Sequence, residues 1–246
     1  MPHSGDTIPL QDVSASDQLV ENHNPTSFTP PKLPSDYIYT RCYCEENIYL
    51  LCQELMVRQD VRERWEVWAV FISNENKTVA LWEQKAARVA GAPVVWDYHC
   101  ILVLKSKQPD SYDSGGDQGS VEAWVYDYDS SITQLPCPWG EYVSRTFPFQ
   151  LMPQYQSLFR VISGEDFIER FASDRSHMLS PEIEGEPLKY VSPPPLYEPI
   201  CGEISRQYGI TSNLMQSFVC MDPDAENTFG SVMSLEKVVF KFLRRV

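Results

Sequence analysis

Arg41-Cys42-Tyr43-Cys44-Glu45-Glu46-Asn47 is the stretch on which the reading of the fold turns. After it Ile48, Leu51, Cys52 and Leu55 recur at helical spacing, and Glu45 and Glu46 fall in the first turn, where the helix dipole favours acids. The pattern predicts a helix that begins directly after Cys44 and runs towards Arg58. A thiol at such a start has its thiolate stabilised by the dipole and by backbone N–H groups that lack intrahelical partners, which makes it nucleophilic near neutral pH. Cys42, two residues earlier, is a rival or a redox partner, and a buried structural role is the commoner fate of any single cysteine.

Outward from that helix, residues 66–73, 78–82, 94–105 and 121–129 are rich in β-branched and aromatic side chains between polar turns. They predict successive strands of a mainly antiparallel sheet. Residues 106–120 (SKQPDSYDSGGDQGS) read as a long hairpin loop inserted between the last two. One more strand is expected over 157–163, a short helix over 165–172 and a final amphipathic helix over 234–245. Prolines at 181, 187, 193, 194, 195 and 199 exclude regular helix or central strand from 180–200, which reads as a segment that wraps the surface in extended form, within a loop insertion near 180–212. Residues 1–35 carry Ser, Pro, Asp and Asn without periodicity and read as a flexible tail, leaving a single domain over 36–246. The order helix, sheet, helix gives an α+β class with a layered α/β sandwich.

Length and charge narrow the function. At 246 residues the chain suits one domain with a sizeable core. A net charge of −14 argues against nucleic acid or an anionic membrane as partner, since phosphate recognition needs a basic surface, and it does not oppose a substrate with a free amine. No run reaches the length of a membrane span, and the polar N-terminus is unlike a signal peptide. Seven cysteines without a regular framework fit free thiols in a reducing compartment, which points to the cytoplasm and also allows the nucleus.

Cys, His and Asp together form the working set of a thiol hydrolase. Of four histidines, His3 and His23 lie in the expected tail, which leaves His99 on a strand and His177 in a less regular polar segment. Strand alternation puts Val95, Asp97, His99 and Ile101 on one face, opposite Trp96, Tyr98 and Cys100. If 94–105 and 121–129 pair as a hairpin, Asp127 or Asp129 comes beside His99 and can fix its tautomer; the residues alone leave the two open. Asp97 suits that role less, because an i,i+2 neighbour on its own strand lies ~6–7 Å away. A zinc site from Cys42, Cys44, Cys52 and His99 lacks a second paired knuckle, and no glycine-rich phosphate loop opens a helix. The interleaved Trp65, Trp68, Trp82, Trp96 and Trp124 read as core.

Several motifs, in order from about residue 37 to the last helix, resemble the protein N-terminal glutamine amidohydrolase family: Cys42-Tyr43-Cys44-Glu45-Glu46-Asn47-Ile48, Val70-Phe71-Ile72-Ser73-Asn74-Glu75, Pro93-Val94-Val95-Trp96-Asp97-Tyr98-His99, Val125-Tyr126-Asp127-Tyr128-Asp129, Phe171-Ala172-Ser173-Asp174-Arg175-Ser176-His177-Met178 and Met221-Asp222-Pro223. The resemblance implies a papain-like or transglutaminase-like core with a Cys-His-Asp triad of Cys44, His99 and Asp127. It implies deamidation of the N-terminal Gln of proteins or peptides to Glu, a place in the N-degron pathway, no cofactor and no metal. A small hydrolase of this kind is expected to be a monomer. A free N-terminus needs an acid for its α-ammonium, and Glu45, Asp97, Asp129 and Asp174 are the candidates. Two rival functions are a thiol peptidase or transglutaminase, and a non-catalytic binder of protein N-termini.

Overall fold

The expected first helix forms as α1, Cys44–Val57, and a short second helix, α2 (Gln59–Arg64), follows it directly. The computed structural model describes residues 29–107, 121–181 and 187–243. Most of the expected tail (1–28), most of the expected hairpin loop (108–120) and residues 182–186 of the proline-rich insertion lie outside the described residues. The rest of the expected tail is packed: Pro30 and Pro31 are buried, the Tyr126 hydroxyl donates to the Pro31 carbonyl, and Leu33 packs against the core.

The main sheet has six strands, all antiparallel to their neighbours. They are β1 (Trp65–Ser73), β4 (His99–Ser106), β5 (Ala123–Tyr126), β6 (Cys137–Pro138), β7 (Leu158–Ser163) and β8 (Ser231–Ser234). The spatial order is β6-β5-β4-β1-β7-β8. β4 and β5 pair as expected across the long connection, from Leu102 opposite Tyr126 to Lys105 opposite Ala123. A separate two-stranded sheet joins β2 (Val79–Leu81) to β3 (Val94–Trp96).

The expected single strand over 94–105 is therefore two strands in two sheets. The break falls at Asp97-Tyr98, where the Asp97 carboxylate accepts the Tyr98 N–H (2.9 Å) and the Asp97 carbonyl accepts the Ser73 hydroxyl (2.6 Å). These side-chain bonds take the place of ladder bonds and turn the chain.

Burial on both faces explains why the central strands read as unbroken apolar runs. Cys100, Leu102 and Leu104 of β4 join Ala69, Phe71, Tyr126 and Ile162 in a core that includes α1 and α4 (Gly164–Arg170). Ile101 and Val103 join Val70, Ile72, Val125 and Phe159 in a second core under α3 (Trp139–Thr146) and α6 (Leu235–Leu243). Each fully buried side chain of this size contributes roughly 1.5–3 kcal/mol. α4 starts where Ser163 accepts the Asp166 N–H (3.1 Å) and donates to its carboxylate (3.0 Å), a side-chain cap. The proline-rich segment is irregular as expected, tied down by bridges Leu179 to Tyr190 and Ala172 to Cys201, and is followed by α5 (Glu203–Gln207). The result is a mixed α/β fold with helices on both faces of a six-stranded antiparallel sheet. Among the described residues no helix is long and apolar enough to cross a membrane.

Candidate active site

Cys44 is the first residue of α1, and no side chain caps that helix start. The entering loop is fixed instead by Asn47, whose side chain accepts the Thr40 N–H and donates to the Thr40 carbonyl, both at 2.8 Å. Cys42 sits in the left-handed region at φ 67°, unusual for a side chain with a Cβ. The N–H groups of the first turn are thus left with neither intrahelical nor side-chain acceptors, a ready anion site.

The Cys44 thiol is buried. Burial pushes its pKa well up, with the neighbouring Glu45, Cys100 and Asp129 adding to the effect. The Glu45 carboxylate lies 3.7 Å from the sulfur. A backbone hydrogen bond from Cys100, the residue after His99, works in the opposite direction.

His99 opens β4 and is 1 % exposed; Asp127 follows β5 and is 0 % exposed. Their side chains meet at 2.8 Å, His99 Nε2 to Asp127 Oδ1. With the Nε2 proton directed to a carboxylate, Nδ1 is left as the basic nitrogen, and it is buried without a hydrogen-bond partner. Burial lowers the His99 pKa, but the charge and hydrogen bond of Asp127, with smaller help from Asp129 and Glu45, leave it raised above the ordinary value.

Asp127 accepts three further bonds: the Asp129 N–H (2.9 Å) on the same oxygen, and the Tyr142 hydroxyl (2.8 Å) and the Gln84 amide (3.4 Å) on the other. Burial would push this carboxyl up; His99, Tyr142 and the Asp129 N–H hold it below the usual range.

The Trp96 ring stacks on the His99 ring, with centroids 5.4 Å apart and planes 21° apart. Strict alternation had Trp96 on the face opposite His99. The break at Asp97-Tyr98 removes that phase relation and brings the indole over the imidazole.

The remaining acids divide. Asp129 Oδ1 accepts the Tyr39 hydroxyl at 2.6 Å, and a ligand atom of Asp129 lies within 4.8 Å of those of His99 and Asp127. Glu45 is fully buried: Oε2 accepts the Tyr98 hydroxyl (2.9 Å), and Oε1 is 3.5 Å from His177 Nε2. Asp97 and Asp174 are both exposed, one bonded to the Tyr98 N–H and the other to the Ser176 N–H. His99, Asp127 and Asp129 form the one set among the described residues whose donor atoms converge as metal ligands would. The four bonds accepted by Asp127 account for its place in that cluster.

Tyr142, Gln84 and Tyr39 escaped sequence reasoning. Tyr142 lies on α3, a helix the sequence pattern did not reveal, and Gln84 and Tyr39 sit in loops where no periodicity marks them. His177, the second histidine considered, does reach the site through Glu45 and Tyr98, with its Nε2 3.2 Å from the Tyr98 hydroxyl.

Residues 39–242 match the family described as N-terminal glutamine amidase. Proteins named "Protein N-terminal glutamine amidohydrolase" align with the chain over most of their length. The Bos taurus protein is 36 % identical over 218 residues, covering 87 % of this chain and 92 % of its own. The Danio rerio protein is 38 % identical over 207 residues, covering 83 % and 89 %. The Arabidopsis thaliana protein is 41 % identical over 182 residues, covering 72 % and 73 %. With a match that runs from Tyr39, beside Asp129, to the last helix, this chain belongs to the N-terminal glutamine amidase family.

Proposed function

We propose that this chain is a thiol amidohydrolase that converts the N-terminal Gln of proteins or peptides to Glu and releases ammonia. Cys44 is the nucleophile, His99 the general base and acid, and Asp127 the carboxylate that orients the imidazole. The observation that carries the reading is the buried His99–Asp127 bond with Nδ1 left open. The relatives' shared name supplies the substrate.

The resting thiol is protonated, because burial and the flanking acids oppose its ionisation. Attack is therefore coupled to proton transfer: His99 Nδ1 takes the thiol proton as sulfur bonds to the Gln side-chain carbonyl carbon. The oxyanion is held by the uncapped N–H groups that begin α1. His99 then delivers the proton to the amide nitrogen, ammonia leaves, and a γ-glutamyl thioester remains. Water, deprotonated by His99, attacks the thioester; sulfur leaves and recovers its proton, and N-terminal Glu is released. Asp127 stabilises the imidazolium at each stage. Every step is carried by this chain's side chains, backbone and water.

A nucleophile at a helix start against a histidine and an acid on an antiparallel sheet favours the papain-like or transglutaminase-like group of cores. The same reading makes residues 36–246 one catalytic domain and the protein a monomer of the cytoplasm, and of the nucleus as well, that supplies the N-degron pathway. Purified protein is to be incubated with matched peptides beginning with Gln, Asn and acetylated Gln, following ammonia release and product mass, with Cys44→Ala as control. Deamidation of the free Gln peptide alone, lost in the variant, is expected. No reaction with any peptide overturns the reading. Incorporation of an added amine in place of water indicates a transglutaminase.

A further inference from the structure

A substrate defined by a free N-terminus needs an acceptor for its α-ammonium within reach of the reacting carbon, and the acids around the thiol differ sharply in their capacity to serve. Asp127 already accepts four hydrogen bonds, from His99, Asp129, Tyr142 and Gln84. Glu45 is 0 % exposed: its Oε2 accepts the Tyr98 hydroxyl, and its Oε1 makes no hydrogen bond but is covered by His177 Nε2 at 3.5 Å, so it presents no exposed edge to an incoming ammonium. Asp97 and Asp174 are exposed, each bonded to a backbone N–H of its own turn.

Asp129 is different. It is 8 % exposed, its Oδ1 is held by the Tyr39 hydroxyl, and among the described residues no cation pairs with it. Its carboxylate lies within 4.8 Å of a ring nitrogen of His99. In an extended Gln the α-nitrogen and the side-chain carbonyl carbon are four bonds, about 5 Å, apart. An ammonium about 2.8 Å from Asp129 therefore has the reach to set the carboxamide next to His99.

The geometry points to Asp129, aimed by Tyr39, as the acceptor of the substrate's α-ammonium and hence as the determinant of free-N-terminus specificity. The inference rests on the amidohydrolase reading for its substrate. It has a mechanistic consequence. Asp129 is one of the charges that keep the Cys44 thiol protonated, and an ammonium bound to it cancels that charge as the substrate arrives. Specificity and activation of the thiol thus come from the same contact.

The test uses full-length Cys44→Ala protein, which binds without turnover, and calorimetric titration of a Gln-first peptide and its desamino analogue. The free-amine peptide is expected to bind about thirtyfold or more tightly than the analogue, as for a desolvated charge pair. Adding Asp129→Asn is expected to bring both peptides to the analogue's affinity, with Tyr39→Phe giving a partial loss in the same direction. Glu45→Gln is expected to retain the preference. Equal binding of both peptides by Cys44→Ala, a preference that survives Asp129→Asn, or one lost only in Glu45→Gln overturns the inference. If circular dichroism shows that Asp129→Asn does not fold, Tyr39→Phe decides, and an unchanged preference there overturns it. Failure of the wild-type protein to release ammonia would overturn the reaction and is read separately from this binding preference.

Discussion

Asp127→Asn isolates what the buried carboxylate contributes by its charge alone. The substitution keeps size and shape, and its neighbours can accommodate an amide. An asparagine oxygen at the Oδ1 position still accepts from His99 and from the Asp129 N–H. The new NH2 then faces the Tyr142 hydroxyl, which can rotate to accept, and the Gln84 amide. Gln84 has a buried Oε1 with no partner, so turning that amide over supplies an acceptor. The imidazole therefore keeps its tautomer, and what is lost is the negative charge opposite the imidazolium. Exchanging a charged for a neutral acceptor in a buried site removes about 2–3 kcal/mol of transition-state stabilisation. That corresponds to a drop in kcat on the order of 10²-fold, with KM little changed. Asp127→Ala should behave differently: it leaves the His99, Tyr142 and Asp129 donors without an acceptor and costs about 3–5 kcal/mol of fold stability. Ammonia release from a Gln-first peptide gives kcat and KM, and circular dichroism with urea titration gives the stability. A folded Asp127→Asn protein within threefold of wild-type kcat would refute the assigned role of the charge.

Three other outcomes follow from particular contacts. Arg175 holds Glu46 by two bonds, 2.8 and 2.9 Å, with both side chains buried, so Arg175→Ala strands a buried carboxylate and should cost about 3–5 kcal/mol, read as a lower melting temperature. Gly230 has φ 69°, and a Cβ there would lie 2.1 Å from the Val161 carbonyl oxygen. Gly230→Ala should lower the urea midpoint by an amount equivalent to about 2 kcal/mol or more, and an unchanged midpoint would contradict the packing of β8. For pH, the folded pKa of Asp127 is lowered, so its contribution to stability holds above the ordinary 3.8 and is lost as pH falls through the folded value. That of His99 is raised, so its contribution is complete below 6.5 and fades as pH rises through the folded value. The difference in melting temperature between wild type and Asp127→Asn should therefore be greatest between those limits, and a difference constant from pH 3 to 8 would contradict both assignments.

Much of the architecture was legible because burial leaves a periodic trace. α1 begins at Cys44, one residue before the start that the apolar spacing and the first-turn acids predicted, β1 begins one residue before its expected run, and β5 and β7 fall within theirs. What was not legible depends on local side-chain bonds or on contacts distant in sequence. The break between β3 and β4 comes from Asp97 bonding its own neighbour, and composition cannot distinguish that from a continuous strand. α3 is only eight residues long, and its apolar positions Trp139 and Tyr142 give too short a pattern to stand out. With α3 unrecognised, the hydroxyl that fixes the outer oxygen of Asp127 could not be foreseen.

The choice between Asp127 and Asp129 shows why register alone cannot place a site. Continuing the ladder that pairs Leu102 with Tyr126 would put Asp129, not Asp127, opposite His99. The ladder stops at Tyr126, and the chain turns: the Asp129 N–H closes onto the Asp127 carboxylate and the Ser130 N–H onto the Asp127 carbonyl (3.3 Å). In a regular strand, two acids at i and i+2 stand ~6–7 Å apart and their carboxylates share no partner. The turn instead draws ligand atoms of both to within 4.8 Å of each other and of His99. One acid is thereby spent on the imidazole and saturated by donors, while the other accepts one side-chain bond, from the Tyr39 hydroxyl. Two carboxylates from a five-residue motif acquire different environments because the strand ends between Tyr126 and Asp127. A substitution that prolonged the strand would be expected to erase that difference before it disturbed the core.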